Sequence, residues 1–440
     1  MDILGILGIL LGIVTIILFI IKKFNIIVAA PIATIVVLLF NDVPILETVF
    51  GKENSYMTAL AGFIASNFAI FLLGSILAKY MDKSGATISI ANKVLSVVGT
   101  KNPYKALVAL FIISAILTYG GINVFVIIFA LIPMAKPIFR QLNISWKLVT
   151  IPVFGGTSTF TMTMLPGAPS LHNIVPSTTL GTTLTAAPLL GIVTSIAAVI
   201  FILVFMKFSL AKSLRKNETF IVDEKVKSSD DETSKRDLPS FIISLLPIIV
   251  LLGIILLFSS VSNIIIVALI AAILLSALLF RKQIDQQKGV LNQGANESLS
   301  STITTGSTIA FGSIATSVPA FKGVFQLIQS IPGPPVLSLM IGTGLIGGIT
   351  ASAVGAIGIS VANFAPIYLE MGLDPETVHR AIAIGSGALS IVPYSGFLII
   401  FNNLTGLTMK DTFKNGFISI SVTHWIAMAV IVTMAILGLA

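Results

Sequence analysis

The chain has 440 residues, 55% hydrophobic and only 10% charged, with a formal net charge of +8. Apolar runs follow one another from end to end, which makes it a polytopic membrane protein. It contains no cysteine, neither H-E-x-x-H nor G-x-x-x-x-G-K-[ST], and only three histidines, so disulfides and thiolate metal sites are excluded and an ATP-driven pump would need a partner subunit.

The first apolar run, Ile3–Ile21, has Asp2 before it and Lys22-Lys23 after it. A cleaved signal carries its basic residues first, so this order suits a transmembrane helix with its N-terminus outside. Further helices are expected over 24–40 and 57–80. An amphipathic stretch, 84–99, should lie in the interface. The run 104–137 is interrupted by Tyr119-Gly120-Gly121-Ile-Asn123. Each arm is short for a span, which predicts a re-entrant hairpin with the glycines at its tip. The run 146–165 leads into Pro166-Gly167-Ala168-Pro169, which breaks a helix. A polar, uncharged segment then extends to 187, and a helix over 188–208 closes the first half. Residues 209–238 are charged and poor in large apolar side chains, as in a flexible cytoplasmic linker.

The second half repeats the plan. Helices are expected at 239–258, 263–280 and 298–318, then a hairpin at 335–370 that turns near Gly347–Gly355. A broken helix over 378–403 contains Gly385-Ser386-Gly387 and Pro393-Tyr394-Ser395-Gly396, and a last helix covers 416–439. The predicted fold is therefore all-α, with two inverted repeats of five transmembrane helices plus one re-entrant hairpin each (1–208 and 239–440). Charge supports the crossing count. With both termini outside, all of the 26 Lys and Arg residues except Lys52, Lys322 and Arg380 fall on the inner side. The basic excess thus reflects membrane orientation and implies no nucleic acid.

Interrupted backbone at membrane depth is tolerated only inside protein or along a cavity. The hairpin tips and helix breaks are therefore expected to meet at a midplane site, offering free N–H groups to a carboxylate and free C=O groups to a cation. The candidate binding residues are Thr118, Tyr119, Gly120, Gly121 and Asn123 at the first tip, and Ser158, Thr159, Thr161, Pro166, Gly167 and Ser170 at the first break. In the second half they are Thr350 and Ser352 at the tip, and Ser386, Ser390, Tyr394 and Ser395 at the break. Asn123 can both donate and accept, which suits a hydroxy acid. His172 is the candidate proton relay. About half of the hydroxyls over 157–163 are expected to face the cavity, the rest bonding back to their own helix. No Lys or Arg is expected at depth. Arg380 is read as an anchor at the outer helix end, and His379 and His424 as interfacial and structural. No side-chain metal site is expected, but sodium held by carbonyls and hydroxyls at the broken helices is possible. Gly344-x-x-x-Gly348 reads as a close-packing motif.

Three stretches carry a family resemblance: Gly120-Gly121-Ile-Asn123; Leu165-Pro166-Gly167-Ala168-Pro169 with Leu180-Gly181-Thr182-Thr183; and Gly385-Ser386-Gly387 with Ser395-Gly396-Phe397 and Leu404-Thr-Gly-Leu-Thr408. Here the chain resembles the gluconate permease (GntP) family of the ion transporter superfamily. The resemblance implies secondary uptake of gluconate or related hydroxy acids, usually with protons, by a homodimer with a scaffold and a moving transport domain. The family's Asn-Asp pair before Ser-Gly-Phe is Pro393-Tyr394 here, and its break lacks the family's His. Those departures leave H+ and Na+ both open as coupling ion.

The expected function is cation-coupled symport of a small hydroxycarboxylate, such as gluconate, a related sugar acid or a hydroxybutyrate. The setting would be a bacterial inner membrane, with no cofactor and no enzymatic activity. The alternatives are a passive anion channel or facilitator, and an intramembrane hydrolase using Ser360.

Overall fold

The computed structural model describes residues 3–22, 24–98, 102–119, 124–168, 170–220, 238–258 and 264–438. Helices and no strands occur among them. In the first half these are α1 (Ile3–Ile21), α2 (Ile26–Leu39), α3 (Ile45–Phe50), α4 (Tyr56–Lys83), α5 (Ala86–Val98), α6 (Pro103–Tyr119), α7 (Val124–Leu142), α8 (Thr150–Thr157, preceded by a 3-10 turn at Trp146–Val149), α9 (Phe160–Thr163), α10 (Leu171–Leu180) and α11 (Pro188–Arg215). The second half holds α12 (Phe241–Leu257), α13 (Ile264–Leu279), α14 (Gln287–Ser317), α15 (Phe321–Gln329), α16 (Pro335–Thr350), α17 (Ala353–Asn363), α18 (Ala365–Glu370), α19 (Pro375–Ser386), α20 (Gly396–Thr405), α21 (Met409–Phe417) and α22 (Thr423–Ile436). A π-turn, Ile418–Val422, joins the last two into one span. Ile3–Ile20, Tyr56–Lys83, Pro188–Arg215 and Met409–Ile436 are long and apolar enough to cross a bilayer.

Polar side chains start the helices where the sequence leaves the apolar phase. Ser55 accepts from the Thr58 N–H in a capping box that opens α4. The Asp374 carboxylate accepts from the N–H groups of Glu376 and Thr377 ahead of Pro375 in α19, and Ser395 accepts from Leu398 N–H to restart α20.

The order of elements recurs between the halves: a long helix, a short amphipathic helix, a helical hairpin, a broken helix and a closing span. The packing recurs too, with α2 lying against α14 and α13 against α4. The two long helices, α4 and α14, run antiparallel. Tyr56 at the start of α4 donates to the Ser307 carbonyl late in α14 (3.3 Å), while Lys79 near the end of α4 pairs with Glu297 (2.7 Å). The two broken segments are also antiparallel. Trp146 Nε1 donates to the Thr405 carbonyl (2.9 Å) and Lys147 pairs with Asp411 (2.7 Å) at one end. At the other end the Ala187 N–H donates to the Glu376 carboxylate (3.0 Å). Phe154 on α8 packs against Phe397 and Phe401 on α20, with ring centroids 4.7 and 4.6 Å apart.

In each half the first hairpin arm meets the broken helix at backbone distance. A side chain at Gly156 on α8 would stand 2.6 Å from the Phe111 carbonyl of α6, and one at Gly385 on α19 would stand 2.7 Å from the Met340 carbonyl of α16. Gly344 and Gly348 face Ala388 and Leu389, so they do serve close packing.

Several boundaries differ from the sequence reading. The third helix of the second half begins at Gln287, not 298, because its polar first turns are held by α4 through Lys79–Glu297 and not by an apolar run. The last span begins at Met409, not 416, since Thr408 and Asp411 form a capping box around charged first turns. The short helices α3 and α15 carry too brief an apolar pattern to have been expected. Helix α11 runs to Arg215, not 208, because Lys207, Lys212 and Arg215 continue the helix past its apolar run, so the linker begins at 216; its residues 221–237 lie outside the described residues.

Candidate functional site

Helix α8 stops where its carbonyls are taken by threonines instead of by the next turn. Thr159 Oγ1 donates to the Gly155 carbonyl, Thr161 Oγ1 to Gly156 (2.8 Å) and Thr163 Oγ1 to Thr159 (3.0 Å). Thr157 likewise donates to Val153 (2.7 Å). These four are buried and bonded to their own segment, so the hydroxyls expected to line a cavity mostly seal the break instead. Ser158 is the partly exposed member, its hydroxyl 3.1 Å from that of Thr157. Beyond α9, Gly167 takes φ +84°, open to glycine alone at low cost, and its N–H donates to Leu184 (2.9 Å). Ser170 donates to the Met162 carbonyl (3.0 Å). From the first hairpin, buried Thr118 bonds back to Ser114 (2.8 Å), and Tyr119 reaches across to donate to the Pro166 carbonyl (3.0 Å). Gly120, Gly121 and Asn123 lie outside the described residues.

The second half mirrors this link with the partners exchanged. Here the tyrosine is on the break: Tyr394, fully buried, donates to the Gly348 carbonyl near the second tip (2.6 Å). That tip is a turn in which Ala351 is left-handed (φ 51°) and Ser352 caps α17 by accepting from Gly355 N–H (3.2 Å). Thr350 donates to Ile346 (2.8 Å), Ser386 to Ala383 (2.7 Å) and Ser390 to Gly387 (3.4 Å), while Ser395 caps α20.

The groups that join the two breaks are ones the sequence reading set aside. Arg380 is fully buried, and correcting the expectation, it is a positive charge at depth rather than an outer anchor. Its guanidinium donates to the Ala186 carbonyl through Nε and Nη2 (3.2 and 2.8 Å), and through Nη1 to the Thr163 carbonyl (3.3 Å) and Asn173 Oδ1 (3.0 Å). All of these acceptors are neutral. Asn173 completes its set by donating to Ala168 (3.0 Å), and its Oδ1 also lies 3.4 Å from His379 Nε2. His379 Nδ1 meets Thr182 Oγ1 at 2.7 Å. His379 and His424 are each fully buried, so neither is interfacial.

His424 stands between the breaks. Its Nε2 is 3.0 Å from Thr163 Oγ1 at the first, and its ring lies flat against Gly387 at the second, where an added Cβ would fall 2.1 Å from Nε2. His172 is buried within electrostatic reach of His424, and its Nδ1 has no hydrogen-bond partner among the described residues. Charge-free sequence had hidden this cluster, because each member looked like an isolated polar residue. The legible signal was the coincidence of Arg380 with His379 just upstream of Gly385-Ser386-Gly387. A second missed element is α14, whose Ser/Thr-rich run over 298–308 packs toward the second break: Gly396 abuts Thr305, and Gly312 abuts the Thr350 backbone.

An all-helical, membrane-embedded chain whose two discontinuous helices cross around buried polar groups belongs to the class of membrane transporters. More closely, residues 4–439 match the model of the GntP family permeases, and the chain belongs to that family. It is 27% identical to the uncharacterized transporter YxjC of Bacillus subtilis (strain 168), over 95% of this chain and 96% of that protein. The crystal structure of the YdaH transporter of Alcanivorax borkumensis aligns at 16% identity and a TM-score of 0.38, covering 89% of this chain and 90% of that one.

Proposed function

We propose that this protein is a cation-coupled symporter that brings a small hydroxycarboxylate into the cell: gluconate, a related sugar acid or a hydroxybutyrate. The observation that carries the reading is the Arg380 cluster. The guanidinium is buried and donates only to neutral acceptors, its one charged neighbour being the Glu376 carboxylate a turn earlier on α19, so an anion bound beside the breaks would meet a cation that no direct ion pair has neutralised. Partly exposed Ser158, Ser352 and Ser390 then supply hydrogen bonds to substrate hydroxyls from positions next to the breaks.

The antiparallel pairs α4–α14 and α8–α20 support two repeats of inverted orientation. With them goes an elevator motion, in which hairpins and broken helices move as a unit past a scaffold built from the first helices of each half. A homodimer in a bacterial inner membrane, with both termini outside and the 216–238 linker cytoplasmic, completes the proposal. Sodium in place of a proton has one observation in its favour: the Thr150, Ser419 and Ser421 hydroxyls are buried with no hydrogen-bond partner among the described residues, where α8 packs on the π-turn. A hydrolase has less, since the buried Ser360 hydroxyl has no hydrogen-bonded base among the described residues.

The test is uptake of a panel of radiolabelled hydroxy acids into proteoliposomes, under separate proton and sodium gradients. Accumulation of at least one acid above its external concentration is expected under one gradient. Equilibration without accumulation would indicate a channel, and no uptake of any carboxylate would remove the proposal.

A further inference from the structure

The hydrogen-bond partners of His424 fix where its protons can sit. His424 Nδ1 lies 2.7 Å from the Ile420 carbonyl, which only accepts, so Nδ1 carries a proton in every state. The other nitrogen, Nε2, faces Thr163 Oγ1 at 3.0 Å. That hydroxyl has one proton and two places to send it: the Thr159 carbonyl at 3.0 Å, or Nε2. If it goes to Thr159, Nε2 must bear its own proton and the ring is an imidazolium. If it turns to Nε2, the ring is neutral and the Thr159 carbonyl at the first break loses this partner.

We propose that His424 is the site that carries the coupled proton, with the Thr163 hydroxyl as the two-position element that reports its state to the first break; this rests on the symport reading above. A proton arriving from the external medium adds to the Nε2 lone pair, and Thr163 turns its own proton back to Thr159. On release the sequence reverses. No other bond changes and no redox partner is needed.

The charges around the ring explain coupling to an anion. From α10 the titratable group within electrostatic reach is His172; α19 carries Arg380, with the Glu376 carboxylate a turn before it as its charged neighbour, and His379, which faces Thr182 and Asn173. Arg380 holds the Thr163 carbonyl, so the guanidinium and the histidine are bound to opposite ends of one residue. Helices α9 and α16 carry no charged residue, the charges of α11 (Lys207, Lys212, Arg215) lie in its last three turns, and Tyr394 is committed to Gly348. A second positive charge beside Arg380 is unfavourable alone and favourable once a carboxylate is bound between them. Substrate and proton therefore raise one another's affinity by the same factor. Gly387 is what allows the ring to lie against the second break, so one group contacts both discontinuities.

The experiment uses the full chain in nanodiscs, labelled with ¹⁵N-histidine, with His424→Gln assigning one of only three histidine signals. The neutral form of His424 is expected to be the Nδ1–H tautomer, the rarer one in water. Thr163→Val should lower its protonation midpoint by at least about one pH unit, because the imidazolium loses its acceptor, while Thr163→Ser should leave it near wild type. A neutral Nε2–H tautomer, or a midpoint unmoved by Thr163→Val, overturns the assignment. In proteoliposomes given gluconate and 3-hydroxybutyrate, His424→Gln should abolish accumulation driven by a proton gradient, while Thr163→Ser should retain it. Undiminished gradient-driven accumulation in His424→Gln also overturns the assignment. If the wild type moves neither acid, the transport reading fails on those substrates and the NMR result still decides the histidine.

Discussion

Arg380 and Asn173 show what one buried charge does to its surroundings. The guanidinium reaches Ala186, Thr163 and Asn173 at once because it is a planar fork, and a lysine ammonium at the end of a single stem cannot. Arg380→Lys keeps the charge but abandons at least one of these bonds, each about 1.5–3 kcal/mol for a charged donor. A clear fall in Tm in detergent is therefore expected, with loss of uptake, and a Tm within a degree of wild type would show that the fork is not needed. Asn173→Ala removes the acceptor shared by Arg380 and His379, and the same assay should show a comparable fall. Gly387→Ala drives a methyl into the His424 ring, so uptake should drop about ten-fold or more, a barrier of roughly 1.4 kcal/mol. Unchanged transport in Gly387→Ala would mean that the ring moves aside freely.

At the scale of elements, each half ties its hairpin to its break with a tyrosine, but the two ties differ in burial. Tyr119 is 42% exposed, so water can replace its bond to Pro166. Tyr394 is fully buried, and in Tyr394→Phe the Gly348 carbonyl keeps only what its own helix gives it. Tyr119→Phe is expected to cost under about 0.5 kcal/mol, and Tyr394→Phe about 1–2 kcal/mol, read as a difference in unfolding midpoint. Equal effects would refute the argument from burial. Uptake should weaken more in Tyr394→Phe, since the loosened tip and break belong to one proposed moving unit.

For the whole molecule, the testable quantity is orientation. The natural chain has no cysteine, so single replacements report cleanly. Glu53→Cys and Lys322→Cys, both at exposed positions, should react with an impermeant maleimide in intact cells. Asn217→Cys and Lys288→Cys, exposed as well, should react only after permeabilisation. Labelling of all four from outside would defeat the inverted arrangement, because its positive-inside distribution would then have no physical basis.

Apolar run length and the placement of Lys and Arg depend only on local composition, because a bilayer imposes the same thickness and the same charge asymmetry on any chain. So the succession of apolar helices, the turn near 347–355 between α16 and α17, and the non-helical stretch at Pro166-Gly167 were legible from residue order. Which polar groups face one another was not, since partners such as Thr163 and His424, or Ala186 and Arg380, lie 261 and 194 residues apart. A threonine run looks the same whether it lines a cavity or seals its own helix, and only packing showed Thr159 and Thr161 doing the latter. Likewise a histidine near a chain end reads as peripheral until two broken helices cross over it. Tertiary structure decided the site because its chemistry comes from desolvated groups meeting at a distance in sequence, and desolvation is a property of the packed whole.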